Sequence, residues 1–298
     1  MIVALIQALR PKQWTKNLLI FAGIVFSRHL LQPDFLVRVA AGFGAFCLLA
    51  GSVYMLNDLR DIAADREHPR KRLRPIASGR LPVAVAWIAL PVLLGAVAVL
   101  ARWLGPGFMM TAGAYVLINL FYSMGIKHVV LVDVFVIAIG FVLRAIAGVQ
   151  LLLPVAPETA ISPWLLVCTF FGALFLALAK RRREIANAVV ADGQASRQRA
   201  VLDHYSPELL EGLLLISAAT SLMAYALYTI WPGTVANFGT EALLYTVPFV
   251  AYGIFRYLYL VRVAENTEDP SQVLLTDRPL GVCVALYLVT VVLIIYRT

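Results

Sequence analysis

Nine stretches of this chain are apolar for about the length a helix needs to cross a bilayer. They fall at 17–33, 37–57, 83–104, 107–124, 130–152, 162–180, 208–231, 241–262 and 279–297. At 1.5 Å per residue, about 20 such residues cover the roughly 30 Å of hydrocarbon. The chain is 61% hydrophobic and only 14% charged, with mean hydropathy +0.83, which excludes a soluble domain. The reading is an all-α, polytopic membrane protein with nine transmembrane helices in one integral-membrane domain, residues 1–298. Pro91 and Pro248 should kink the third and eighth helices, where neighbouring helices tolerate the break.

Lys and Arg set the orientation. With the N-terminus inside, the inner segments collect Arg10, Lys12 and Lys16, seven cations from Arg60 to Arg80, and Lys127. They also collect Lys180 to Arg183, Arg197, Arg199, Arg256, Arg262 and Arg278. The outer loops 153–161 and 232–240 carry no Lys or Arg. The positive-inside rule then gives a cytoplasmic N-terminus and an external C-terminus. The inner loops, about 58–83, 123–130, 181–207 and 263–278, share one face. The net charge of +8 is thus accounted for by topology, and no nucleic-acid surface is implied. The N-terminus places its apolar residues before its charges, the wrong order for a cleaved signal peptide. Cys47, Cys168 and Cys283 lie inside apolar runs without metal-ligand spacing and read as core packing. The four histidines are scattered and form no ligand pattern.

The most charged passage is Leu56 to Leu81, LNDLRDIAADREHPRKRLRPIASGRL. Asn57, Asp58, Asp61 and Asp65 are spaced by three and four, which puts them on an arc of roughly 100° of one helix face. Three carboxylates and an amide carbonyl suit Mg²⁺, which takes one or two carboxylates beside waters and substrate phosphates. Arg66, Arg72 and Arg74 stand among the cations that follow, and guanidiniums match phosphate oxygens. Carboxylates for a metal beside arginines for phosphate equip a diphosphate site. The competing reading is a solvated loop whose acids pair with its bases.

The fifth apolar run carries a second signal. Asp133 and Arg144, eleven residues apart, share a helix face about 16 Å apart along the axis. An arginine well inside a span is costly and is by default a functional hypothesis, here a phosphate contact. A structural pair with an acid from another helix is the alternative. Gly140 and Gly148 mark close helix packing or room for substrate.

The motif NDxxDxxxD after a second transmembrane helix resembles the UbiA-type intramembrane prenyltransferase superfamily. That resemblance implies a helical bundle around a central cavity, with Mg²⁺ and a diphosphate on the first aspartate motif. Other members carry a second acidic motif after helix six, where this chain reads LALAKRRREI (Leu176 to Ile185). Four segments resemble one branch, the decaprenyl-phosphate phosphoribosyltransferases. They are RPKQWTKNLLIF (10–21), YSMGIKHVVLVDVFVIAIGFVLRAIAG (122–148), LAKRRREI (178–185) and DPSQVLLTDRPL (269–280). That branch moves 5-phosphoribose from phosphoribosyl pyrophosphate (PRPP) to a polyprenyl phosphate. The product feeds arabinose donors for cell-wall polysaccharide.

The resemblance implies a set of roles. Asp58, Asp61, Asp65 and Asp133 would be catalytic, with Mg²⁺ on Asn57, Asp58, Asp61 and Asp65. Substrate would meet Lys16, Asn17, Tyr54, Arg66, Arg72, Arg74, Tyr122, Lys127, Arg144, Lys180, Arg181, Arg182 and Arg278. Asp277 and Arg278 would form an ion pair closing the inner mouth, and Trp14 would sit at the membrane interface. The implied partners are PRPP, a polyprenyl phosphate and the membrane, with no nucleic acid and with a homo-oligomer left open. The implied location is the bacterial inner (plasma) membrane, with the active site facing the cytoplasm. Two other readings compete. An aromatic prenyltransferase would want a second metal site, against which KRRRE argues. A transporter should show broken helices or acids near the midplane.

Overall fold

The computed structural model describes residues 1–157, 159, 162–190, 204–263, 273 and 276–297. All regular structure among them is helical. The α-helices are α1 (Ile2–Ala8), α2 (Phe21–Phe26), α3 (Pro33–Arg60), α4 (Ile62–Glu67), α5 (Val83–Leu104) and α6 (Pro106–Met124). They continue with α7 (Val132–Gln150), α8 (Pro163–Val190), α9 (Pro207–Ile230), α10 (Pro232–Phe238), α11 (Val247–Val263) and α12 (Arg278–Arg297). Eight segments among the described residues are long and apolar enough to cross a membrane: α3, α5, α6, α7, residues 163–186 of α8, α9, residues 242–262 and α12.

The expected first span, 17–33, is built differently. A 3₁₀ helix, Pro11–Ile20, runs straight into the six-residue α2. The uninterrupted apolar stretch Leu18 to Phe26 would cover only about 14 Å as α-helix, half of what a span needs. Asn17 on one side and Ser27, Arg28 and His29 on the other bound it. The Pro91 expectation meets a helix that contains it, α5. Pro248 instead occupies the second position of α11, where its missing N–H has no intrahelical partner to lose. The preceding residues 242–246 form a 3₁₀ turn.

The chain forms two compact units. One comprises Met1–Met124 and Leu143–Ala160, the other Gly125–Val142 and Ile161–Thr298. Helix α7 therefore contributes its first half to the second unit and its second half to the first.

In the first unit α3 is central. Phe46, Ile20, Ile24, Leu104, Phe108, Leu151 and Leu152 are fully buried around it. Gly148 permits the close approach of the 3₁₀ segment, since a Cβ there would collide with the Ile20 carbonyl oxygen. Arg38 donates to the carbonyls of Leu104 and Leu151, the latter at 2.6 Å. Both belong to helix ends whose last carbonyls lack intrahelical donors. In the second unit α8 packs on α9, with Leu178, Ala179, Leu210 and Leu214 buried beside Val134 and Ala138 of α7. The outward faces of the long helices are apolar: α5 exposes Trp87, Ile88, Val92, Val99 and Trp103. Such continuous apolar surface requires lipid rather than water, so the chain is an integral membrane protein.

Candidate active site

The acidic motif lies at the end of α3 and is organised by a helix break. Asp61 leaves helical geometry (φ −99°, ψ 15°), ending α3 and starting α4. The hydrogen bonds nevertheless continue through it, Asp61 N–H to Asn57 at 3.0 Å and Asp65 N–H to Asp61 at 2.8 Å. Asp58 and Asp65 thus still converge. Their side chains are 3% and 4% exposed, and Nη1 of Arg74 donates to both, at 3.0 Å and 2.7 Å. Arg10 donates to the same Asp58 oxygen at 2.5 Å, with its guanidinium 4.7 Å from the centre of the Tyr54 ring. Asn57 turns elsewhere, accepting from the Ser123 hydroxyl at 2.6 Å.

Among the described residues no three His, Cys, Asp or Glu side chains form a ready metal cage. The expected four-residue ligand set is therefore not preassembled, because the break at Asp61 and the bond from Ser123 divide it. What does converge is two buried carboxylates flanking one cationic nitrogen. Two carboxylates, completed by water and phosphate, are the donor set of Mg²⁺, so the residues fit that ion.

Arg144 lies deep in the first unit, 5% exposed. It donates to Asn17 Oδ1 at 2.7 Å and to the Tyr115 hydroxyl at 2.9 Å. The rings of Tyr115 and Phe46 face its guanidinium at 4.8 Å and 5.8 Å. Asn17, fully buried, also donates to Cys47 Sγ at 3.2 Å. Lys16 is half-buried beside it, and Tyr54 and Tyr122 are half-buried on α3 and α6. Arg66 is exposed and donates to the Ala77 carbonyl at 3.3 Å, while Arg72 is exposed.

The second unit holds a separate buried network. Asp133 is fully buried, and Arg181 is 1% exposed. Arg181 Nε donates to Asp133 Oδ2 at 2.7 Å, and its Nη1 donates to Glu184 at 2.6 Å. Tyr205 donates its hydroxyl to Asp133 Oδ1 at 2.7 Å and accepts the Leu131 N–H at 2.7 Å. Leu131 holds a left-handed backbone (φ 67°). Burial, reinforced by the bond to Asp133, pushes the Tyr205 hydroxyl well above its usual range. Asp133 and Arg181, expected on substrate, are thus engaged with each other, because a buried charge needs a partner.

The rest of the basic run is also employed. Arg182 meets Glu211 at 2.9 Å and the Val261 carbonyl at 3.4 Å, and Arg183 donates to the Leu260 carbonyl at 2.6 Å. Those carbonyls belong to the last turn of α11, which arginines here cap. Lys180 and Lys127 are half-buried, and Arg278 is exposed. The expected Asp277–Arg278 pair is replaced: Asp277 pairs with Arg256, at 2.9 Å and 3.2 Å. It also accepts the Leu280 N–H at 2.9 Å, so it starts α12 as a cap. The hydrogen bond from Arg256 holds the Asp277 carboxyl below its usual range. Arg197 and Arg199 lie outside the described residues.

Arg10, placed by the sequence only among the inner-face cations and in the segment 10–21, joins Tyr115 and Tyr205 as contacts that local pattern does not single out. The Arg-Pro dipeptide before the first apolar run was the available signal for Arg10. Tyr205 directly precedes the Ser206 helix cap, and nothing local distinguishes it.

Residues 17–276 match the UbiA prenyltransferase family. The chain is 34% identical to a decaprenyl-phosphate phosphoribosyltransferase of Corynebacterium glutamicum, over 98% of this chain and 86% of the relative. It is 30% identical to the Mycobacterium tuberculosis protein of that name, over 98% and 94%. A UbiA homologue from Archaeoglobus fulgidus, solved with GPP and Mg²⁺, superposes with TM-score 0.71 at 18% identity, over 98% of this chain and 99% of that one. The matched span, the full-length relatives and the shared helical fold agree: the chain belongs to the UbiA prenyltransferase family.

Proposed function

We propose that the chain transfers 5-phosphoribose from PRPP to a long-chain polyprenyl phosphate and releases pyrophosphate. The observation that carries this reading is 30–34% identity with decaprenyl-phosphate phosphoribosyltransferases over 98% of the chain. The site chemistry supports it. Only one acidic motif is present, and the place of a second is taken by cations that order helix ends and a buried acid.

Asp58 and Asp65, with Asn57 and Asp61, would hold Mg²⁺. When bound, that ion supplies charge neutralisation to the departing diphosphate. The C1–O bond to pyrophosphate breaks and the pyrophosphate keeps the electron pair. A lipid phosphate oxygen forms the new bond to C1 from the opposite face, inverting the configuration. The anomeric carbon gains oxocarbenium character, as in other glycosyl transfers. A phosphate is already anionic near neutral pH, so no general base is needed. Catalysis comes from positioning and from preorganised charge.

Arg74 would meet the diphosphate beside the carboxylates it now bridges. Further phosphate and ribose contacts would come from Lys16, Arg66, Arg72 and Tyr122 in the first unit, and from Lys127, Lys180 and Arg278 in the second. Arg144, oriented by Asn17 and Tyr115, is a phosphate contact from within the membrane. Arg181, Arg182 and Asp133 would act through position, fixing α8 against α7, α9 and α11. We place the N-terminus and the active face in the cytoplasm of a bacterial inner membrane, with the segment 17–33 completing nine crossings. The product serves envelope polysaccharide synthesis.

The test is a transfer assay in detergent with ribose-labelled PRPP, a polyprenyl phosphate and Mg²⁺. Label is expected in a lipid-extractable product, abolished by a chelator. Turnover of a prenyl diphosphate onto an aromatic acid, with no lipid label, would overturn the reading.

A further inference from the structure

We propose that Arg10 is a diphosphate-binding residue that, with Arg74, holds the place of the metal on the acidic motif, so that divalent cation and diphosphate bind only together. The inference rests on the acidic motif as a metal–diphosphate site. It does not depend on which diphosphate donor is used.

The argument begins with charge. Asp58 and Asp65 supply two negative charges, and Arg10 and Arg74 supply two positive ones within 3.0 Å. Ionised, these four side chains balance one another. A divalent cation arriving alone must displace two guanidiniums and leave them uncompensated beside it. A diphosphate arriving alone must approach two carboxylates. Arriving together, the metal satisfies the carboxylates while the released guanidiniums meet the phosphate oxygens, which is the pairing arginine makes best.

The geometry shows which partners can move. The acids are 3% and 4% exposed, but Arg10 and Arg74 are 27% and 29% exposed. Arg181, by contrast, is locked at 1%. The carboxylates are thus fixed and the two arginines reach them from the open side. Arg10 is also held there against its backbone preference. It adopts φ 52°, ψ 63°, the left-handed region that non-glycine residues avoid. It does so directly before Pro11, where extended conformations are favoured. Such strain persists where surroundings over-determine it, and it collects at binding sites. The Tyr54 ring, one turn before Asp58 on α3, lies 4.7 Å from the guanidinium.

The experiment is equilibrium dialysis of Mn²⁺ against the full-length protein in detergent, with and without inorganic pyrophosphate, corrected for the complex formed in solution. Wild type should bind Mn²⁺ at least about tenfold more tightly with pyrophosphate, within the usual range of coupling between two ligands. Arg10→Gln should bind Mn²⁺ alone more tightly than wild type and lose most of the pyrophosphate enhancement. Arg10→Lys, which keeps the charge, should retain part of it. Arg74→Gln should behave like Arg10→Gln, and serves if that variant does not fold. Equal Mn²⁺ affinity with and without pyrophosphate in wild type would overturn the proposal. So would Arg10→Gln or Arg74→Gln binding Mn²⁺ no more tightly than wild type. Coupling that persists in a protein inactive with PRPP would sink the phosphoribosyl reading and leave this one standing.

Discussion

Two carboxylates, Asp58 and Asp65, meet two arginines, Arg10 and Arg74, around the break between α3 and α4. Asp58→Asn and Asp65→Asn each remove one charge from the proposed metal–diphosphate site. Each should lower turnover at least about 100-fold, as losses of transition-state charge stabilisation do, while the melting temperature moves little. The buried pair in the second unit predicts the opposite pattern. Arg181→Met leaves Asp133 charged, dry and short of its partner, a cost of about 3–5 kcal/mol. That should lower the melting temperature by roughly 10 °C. Adding Asp133→Asn should recover part of the loss, a coupling that a double-mutant cycle reads directly. The motif residues were legible in the sequence because their spacing is local. The partners were not. Arg10 reaches Asp58 across 48 positions and Tyr205 reaches Asp133 across 72, and no periodicity encodes such distances.

Apolar length alone locates most of the long helices. α3, α5, α6, α7, α8, α9 and α12 all fall on expected runs. The first run, 17–33, counts its apolar length across the polar residues Ser27 to His29, and the structure forms a 3₁₀ segment and a short helix there instead of one long helix. Arg182, expected on substrate, and Arg183 beside it meet carbonyls in the last turn of α11, and Asp277, expected to pair with Arg278, caps α12. Caps depend on where a helix ends, which is the least legible property of a sequence. The α12 cap makes a pH-dependent prediction. Arg256 depresses the folded pKa of Asp277, so its stabilisation is present above the unfolded value, near roughly 3.9. It is lost as pH falls through the lower, folded value. Asp277→Asn should therefore melt below wild type at pH 7, and the gap should close in acid. A gap that is constant from neutral to acid pH would show that the carboxylate charge is not involved.

At the scale of the molecule, composition fixed the membrane and the helical class, but not the division into two compact units that share α7. A division of that kind follows from which faces of a helix find partners, and hydropathy does not record it. Topology is testable on the whole chain. In a background lacking Cys47, Cys168 and Cys283, Asn237→Cys should react with an impermeant maleimide on intact cells. Ser78→Cys should react only after permeabilisation. With Ser78 inside, an N-terminal tag inside would mean that the segment 17–33 crosses; an N-terminal tag outside would leave eight crossings.

The central claim is that the bond at the ribose anomeric carbon breaks and the phosphoribosyl group moves to the lipid. PRPP labelled with ³²P separately in its 5-phosphate and in its β-phosphate, incubated with polyprenyl phosphate and Mg²⁺, tests this directly. The 5-phosphate label should enter the lipid fraction while the β label appears only in pyrophosphate. β label in the lipid, or no lipid label from either donor, would contradict the account.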